Sequence, residues 1–285
     1  MRNAFACLCA LLLAVNASFG QSKTPVSPEV VTIPSGNLRL KAYLWKPSGP
    51  GPFPAVLFNH GSGGEDPEHT AGMPITQAAE KLAPVFLTHG YALLYPFRRG
   101  QGLSADQAPF MQDLLKKEQA AHGIEGRQRL QFKLMTTDHL EDVMAALFFL
   151  KTLPKIDRDR IAVAGHSFGG QLSLLAAERD PTIRAAVTFA AAAASWTSSS
   201  ELRVRLLDAV RNTRAPILLI HAANDYDTAP GRAFAEELER LHKPHLLKIY
   251  PPSGMTSDDG HNYVYGNIPQ WEKDVFRFLD ENTLQ

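Results

Sequence analysis

Residues 161–177 read Ile-Ala-Val-Ala-Gly-His-Ser-Phe-Gly-Gly-Gln-Leu-Ser-Leu-Leu-Ala-Ala. Residues 161–164 form a short apolar strand pattern, and a helical pattern begins just past the turn. Between them Gly165-His166-Ser167-Phe168-Gly169 fits Gly-x-Ser-x-Gly, a weak signal by itself. The strand before it and the helix after it supply the strand–turn–helix setting that a nucleophile elbow requires. Gly165 and Gly169 leave room for a strained turn and for close strand–helix packing. Such a turn exposes the Ser167 hydroxyl at the carboxyl end of a sheet, where α/β proteins bind their ligands.

The same alternation extends in both directions. Short, nearly continuous apolar runs occupy residues 55–58, 91–95, 185–189, 217–220 and 246–250. Runs of this kind suit parallel strands buried on both faces. Helical patterns over 76–88, 138–153, 168–179, 202–211, 231–241 and 270–280 separate them. Strands alternating with helices predict an α/β fold: a mostly parallel central sheet flanked by helices. Ahead of it, residues 30–33 and 38–45 alternate around Pro34-Ser35-Gly36-Asn37, an antiparallel hairpin signal. No repeat, low-complexity tract or interdomain linker interrupts the chain, so residues 21–285 read as one domain. Residues 100–137 are too long and polar for a simple connection, with helical patterns over 105–119 and 126–135. Long insertions are commonly functional, so 101–137 reads as a small helical lid; a solvated surface excursion is the alternative.

A serine nucleophile needs a base and an orienting acid. The elbow order is serine, acid, histidine. Asp225 follows the apolar run at 217–220, and His261 follows the run at 246–250. Both therefore fall on loops at the carboxyl ends of strands, the rim that also carries Ser167. Of the ten histidines, His69, His89, His122 and His139 precede the nucleophile. His60 and His166 read as packing or loop-shaping residues, His221 precedes the acid, and His242 and His245 flank a helix–strand connection. Asp227 is the rival acid. It lies just before Thr228-Ala229-Pro230, where a carboxylate would cap the next helix. An oxyanion would need two backbone donors. Phe168, directly after the nucleophile, offers one. The loop Asn59-His60-Gly61-Ser62-Gly63-Gly64 offers the other, from Ser62 or from Gly63. No Lys follows these glycines, which disfavours a phosphate cradle.

With these pieces in place the sequence resembles an α/β-hydrolase, of the dienelactone hydrolase-like and prolyl oligopeptidase-like group of esterases. The matching segments are His60-Gly61-Ser62-Gly63-Gly64, Arg98-Arg99-Gly100-Gln101-Gly102-Leu103-Ser104, Gly165-His166-Ser167-Phe168-Gly169-Gly170, His221-Ala222-Ala223-Asn224-Asp225 and Gly260-His261. The resemblance covers residues 42–279. Dienelactone hydrolases proper carry a cysteine nucleophile; Ser167 in its place favours a carboxylic ester. The resemblance implies a Ser167–Asp225–His261 triad, a small-molecule ester substrate, no metal and no organic cofactor. A serine peptidase would share the triad. A binding protein on an inactive hydrolase fold would lack a triad member. Arg98 and Arg99, after the run at 91–95, either brace loops or receive an anionic substrate group. Trp196, after the run at 185–189, either lines an acyl pocket or caps the following helix. Asp138, Glu141 and Asp142 read as helix N-terminal charges complementing the dipole.

Composition sets outer limits. The chain has 285 residues, 45% hydrophobic and 20% charged, with 29 Lys+Arg balancing 29 Asp+Glu. Zero net charge without a basic stripe disfavours nucleic acid as a partner. Met1-Arg2, an apolar run over 4–15 and Ser18-Phe19-Gly20 together read as a secretory signal peptide over 1–20, too short to span a bilayer. Cys7 and Cys9 lie within it. A chain cleaved after Gly20 would have no disulfide, thiolate nucleophile or membrane attachment, and would sit in a secreted or periplasmic setting. The oligomeric state is not legible.

Overall fold

The computed structural model describes residues 27–284; the expected signal peptide, with both cysteines, lies outside the described residues. Strands β1 (Glu29–Ser35) and β2 (Leu38–Trp45) form the expected antiparallel hairpin, turning at Gly36 with φ 57°. Val31, Ile33, Leu40, Ala42 and Leu44 all point to one buried face, the period-2 pattern of a half-covered ribbon. The chain continues through β3 (Phe53–Asn59), α1 (Ile75–Thr88) and β4 (Ala92–Pro96). A 3-10 turn (Gly102–Gln107) leads into α2 (Met111–Leu134), and a π-helical turn (Met135–His139) joins it to α3 (Leu140–Thr152). There follow β5 (Ile156–His166), α4 (Phe168–Arg179), β6 (Ala185–Phe189), α5 (Ser200–Asn212), β7 (Ile217–Ala222), α6 (Ala229–Arg240), β8 (His245–Tyr250) and α7 (Ile268–Thr283).

The eight strands of the central sheet order as β1-β2-β4-β3-β5-β6-β7-β8, and His69–Thr70 and Met73–Pro74 pair separately as a short ribbon. Pairing is antiparallel from β1 to β4 through β2, and parallel from β4 onward. Side chains of β5 alternate between two cores. Ile161 and Val163 pack with α3 and α4, while Ala162 and Ala164 face α1 and α7. The apolar runs thus bury both faces, with one exception. All six residues of β8 are only partly buried, because β8 is the sheet's edge and has a neighbour on one side alone.

The insertion differs from its expected shape at its start. Both helical patterns are present, as the two halves of α2 that meet at non-helical His122 and Gly123 (Gly123 φ 68°), but the first begins at Met111 rather than at 105, the residues before it forming the 3-10 turn. Asp142 lies in the first turn of α3 as expected, and it does more than complement the dipole: it is buried and accepts from Arg99 Nε (2.9 Å), Arg99 Nη2 (2.7 Å) and Ser35 Oγ (2.9 Å), so it also anchors loops.

A polar layer lies beneath the carboxyl ends of the parallel strands. His60, His139 and His166 are all buried there. Burial comes first in holding each below the ordinary histidine range; Arg98 adds to this at His60 and at His139, and His261 adds to it at His166, which is lowered to about 3. The folded protein therefore keeps these rings neutral at pH values where an unfolded chain protonates them. Their folded values lie below the unfolded value of about 6.5, so the contribution to stability is full above that pH and drains away below it. The urea midpoint is expected to hold between pH 8 and 7 and to fall between pH 6.5 and 4, the unfolded chain binding up to about three more protons. A midpoint constant from pH 8 to 4 would contradict buried neutral histidines.

Candidate active site

Backbone geometry sets the position of Ser167. It sits between β5 and α4 with φ 54° and ψ −118°, a left-handed conformation that costs a non-glycine residue energy. Two glycines make room for it. A Cβ on Gly165 would lie 2.3 Å from Gly169 O, and one on Gly169 would lie 2.0 Å from Asn59 O. The Ser167 N–H donates to Phe189 O (2.8 Å), tying the turn to β6.

His261 Nε2 lies 2.9 Å from Ser167 Oγ, and His261 Nδ1 lies 2.7 Å from Asp225 Oδ1. The three sequence candidates therefore form one hydrogen-bonded chain. With Nδ1–H donating to the carboxylate, Nε2 carries the lone pair that faces the hydroxyl. The Asp225 carboxylate is buried and also accepts from Tyr226 N–H (2.8 Å) and from His221 Nδ1–H (2.7 Å). Burial raises its pKa, but the hydrogen bonds from His221 and His261 prevail and hold it at about 2. Asp225 is thus an anion across the whole working range. Asp227 is half-buried, and its Oδ1 accepts from the Ala229 N–H (2.7 Å) at the start of α6.

The segment carrying His261 had no helical signal in the sequence. Ser257–His261 forms one turn of helix, closed by a Thr256–Asp259 capping box. Asn224 sets its place: Nδ2 donates to Ser253 O (2.8 Å) and Thr256 O (2.7 Å), and Oδ1 accepts from Ser253 N–H (2.8 Å). A Cβ on Gly260 would lie 2.5 Å from Asn224 O, so the helix turn rests directly on the end of β7. The imidazole is held from both sides. Tyr226 stacks on it at 4.3 Å with its hydroxyl bonded to Asp258, and the His166 ring lies at 4.9 Å. His166 Nε2–H donates to His261 O (2.9 Å). Sequence reasoning missed His221 and Tyr226. The four-residue step from His221 to Asp225 was the available signal.

A cavity of about 540 Å³ opens in front of Ser167, walled by Ser62, Gly63, Ala71, Ala194, Tyr226 and Asp258. Ser62 and Gly63 therefore face the cleft, and a Cβ on Gly61 would lie 3.7 Å from Ser167 Cβ. Phe168 is the first residue of α4, so its N–H has no partner within the helix. Neither predicted substrate contact lies in this cleft. Trp196 is 9% exposed, packed edge-on against Phe234 at 5.2 Å in the core; Ala194 faces the cleft instead. Arg98 is 1% exposed and donates to His60 O (2.8 Å) and Gly61 O (2.6 Å), so it is unavailable to a substrate anion. No residue of 101–137 is among those lining the cleft; this insertion packs beside the site rather than over it.

Comparison with known proteins agrees with this architecture. The family model of the dienelactone hydrolase family matches residues 40–264. The quorum-quenching protein AidA of Acinetobacter baumannii is 30% identical over 167 residues, 59% of this chain and 45% of that one. A Synechocystis sp. protein named for carboxymethylenebutenolidase activity is 26% identical over 164 residues, 58% of each chain. The chain thus spans about half the length of these two relatives. Among solved structures, the acylaminoacyl peptidase of Pyrococcus horikoshii superposes with a TM-score of 0.66 at 19% identity, covering 96% of this chain and 44% of that one. A fold of this kind, and a family match over most of its length, make the chain a member of the dienelactone hydrolase family.

Proposed function

We propose that the protein is a serine hydrolase of small carboxylic esters, lactones included, working through an acyl-enzyme. The observation that carries this reading is the unbroken chain from Ser167 Oγ to His261 (2.9 Å) to Asp225 (2.7 Å) at the mouth of an open cleft. His261 Nε2 takes the Ser167 proton as Oγ attacks the ester carbonyl. The tetrahedral oxyanion forms between the N–H groups of Phe168 and Ser62. Asp225 fixes the His261 tautomer and stabilises the imidazolium. His261 then gives its proton to the departing alkoxide, and the alcohol leaves. Water repeats the sequence on the acyl-enzyme, with His261 again as base, and releases the acid and free Ser167.

Ester and lactone share this route, since a lactone's leaving alcohol stays tethered to the acyl group. The names of the relatives, a carboxymethylenebutenolidase among them, favour lactones within the substrate range. The apolar run over 4–15 supports action outside the cytoplasm, in a secreted or periplasmic setting.

Ser167→Ala is expected to lower kcat/KM for p-nitrophenyl acetate by at least about 10³-fold, with the thermal midpoint retained. Wild-type turnover in that variant would assign the chemistry to another residue. The acid is tested separately. Asp225→Asn should lower kcat by about 10³–10⁴-fold, because an amide no longer selects the productive imidazole tautomer. Asp227→Asn should leave turnover near normal and cost at most about 1 kcal/mol in urea unfolding, as expected for a helix-end contact. The opposite pattern, with collapse only in Asp227→Asn, would exchange the two roles.

A further inference from the structure

Arg98 is the least economical feature of the molecule. Its guanidinium is buried, yet among the described residues no carboxylate pairs with it. The nearest acid it feels, Asp142, is already committed to Arg99 and Ser35. Arg98 donates instead to main-chain and amide oxygens: Nη1 to His60 O (2.8 Å), Nη2 to Gly61 O (2.6 Å), and Nη2 to Gln101 Oε1 (3.3 Å). Its Nε–H has no partner. Burying a charge without a counter-ion is costly, so this arrangement requires a compensating role.

Geometry points to one. A trans peptide holds its C=O and N–H on opposite sides. Drawing Gly61 O inward to Arg98 therefore turns the Ser62 N–H outward, and Ser62 lines the cleft. Gln101 acts the same way one residue on, since its Nε2 donates to Ser62 O (2.7 Å). The guanidinium carbon also lies 5.5 Å over the Phe168 ring, and Phe168 bears the other donor. One buried cation thus stands behind both donor-bearing residues, in a dry region where electrostatic effects are strong.

We propose that Arg98 is a positioning residue for the oxyanion: it aims the Ser62 N–H into the cleft and places an unpaired positive charge behind both donors. The inference rests on the ester-hydrolase reading and deepens it. It assigns transition-state stabilisation to a residue that touches no substrate.

The test uses the full chain and two variants, Arg98→Lys and Arg98→Met. Three quantities are read for each: kcat and KM with p-nitrophenyl acetate, affinity for a trifluoromethyl ketone that becomes an oxyanion on Ser167, and affinity for the matching carbinol, which cannot. Deleting one oxyanion donor outright costs about 10²–10³-fold in kcat, so a misaimed donor should cost about 10–100-fold in Arg98→Met. Ketone affinity should fall by the same factor, while KM and carbinol affinity stay within about twofold. Arg98→Lys, which keeps the charge but not the fork, should fall between wild type and Arg98→Met in both kcat and ketone affinity. The proposal is overturned if ketone and carbinol affinities fall together, because the cleft as a whole has then deformed. It is equally overturned if kcat is unchanged, or if neither variant folds, which would make Arg98 a folding residue. A wild-type chain that hydrolyses no ester and binds no ketone would instead sink the ester-hydrolase reading itself.

Discussion

A backbone contact too close for any side chain organises this molecule. A Cβ on residue 169 would lie 2.0 Å from Asn59 O and 2.4 Å from His60 O. Only glycine permits α4 to press that far onto the end of β3. This closeness brings the β3 loop, with Gly61 and Ser62, against the turn that holds Ser167. The turn is strained at Ser167, and a strained conformation persists only where its surroundings over-determine it. Here they do so from three sides: the bond to Phe189 O on β6, the packing of α4 on β3, and the Gly165–Gly169 contact beneath. The family's elbow is in this sense a packing solution before it is a chemical one.

Around this contact the protein concentrates polar groups that would be costly elsewhere. Asp225 carries a buried negative charge and satisfies it with three donors, from His221, His261 and Tyr226. Arg98 carries a buried positive charge and satisfies it with carbonyl oxygens. The two charges sit on opposite sides of Ser167's chemistry. In the proposed reaction the anion faces the imidazole that would become cationic, and the cation faces the loop where negative charge would develop. Preorganised groups of this kind act without reorganising during the reaction. Three neutral buried histidines lie close by, His60 and His139 near Arg98 and His166 against His261, and their depressed proton affinities keep further charge out of the layer.

The sequence was most legible where function follows strand ends. Ser167, Asp225 and His261 each follow an apolar run, and a parallel sheet brings all its carboxyl ends to one rim. Knowing the fold therefore nearly located the three residues of the candidate triad. Legibility failed where partners carry no sequence signature. Arg98 binds main-chain oxygens, which every residue has, so nothing distinguished it from a substrate-binding arginine. Trp196 lies near the rim in sequence, but its ring turns inward onto Phe234, a choice made by tertiary packing alone. His221 was set aside by its order in the chain, although what matters is its four-residue step to Asp225. The edge position of β8 likewise depends on neighbours that local pattern does not encode.

The central claim is that the elbow, the histidine and the acid together activate Ser167 and no other nucleophile. Treating the full chain with a fluorophosphonate and mapping the adduct by peptide mass spectrometry tests this most directly. One adduct per chain is expected, on the peptide bearing Ser167, forming at least about 10²-fold more slowly in His261→Ala because the base is gone. Labelling at a different serine, or equal labelling rates with and without His261, would contradict the account.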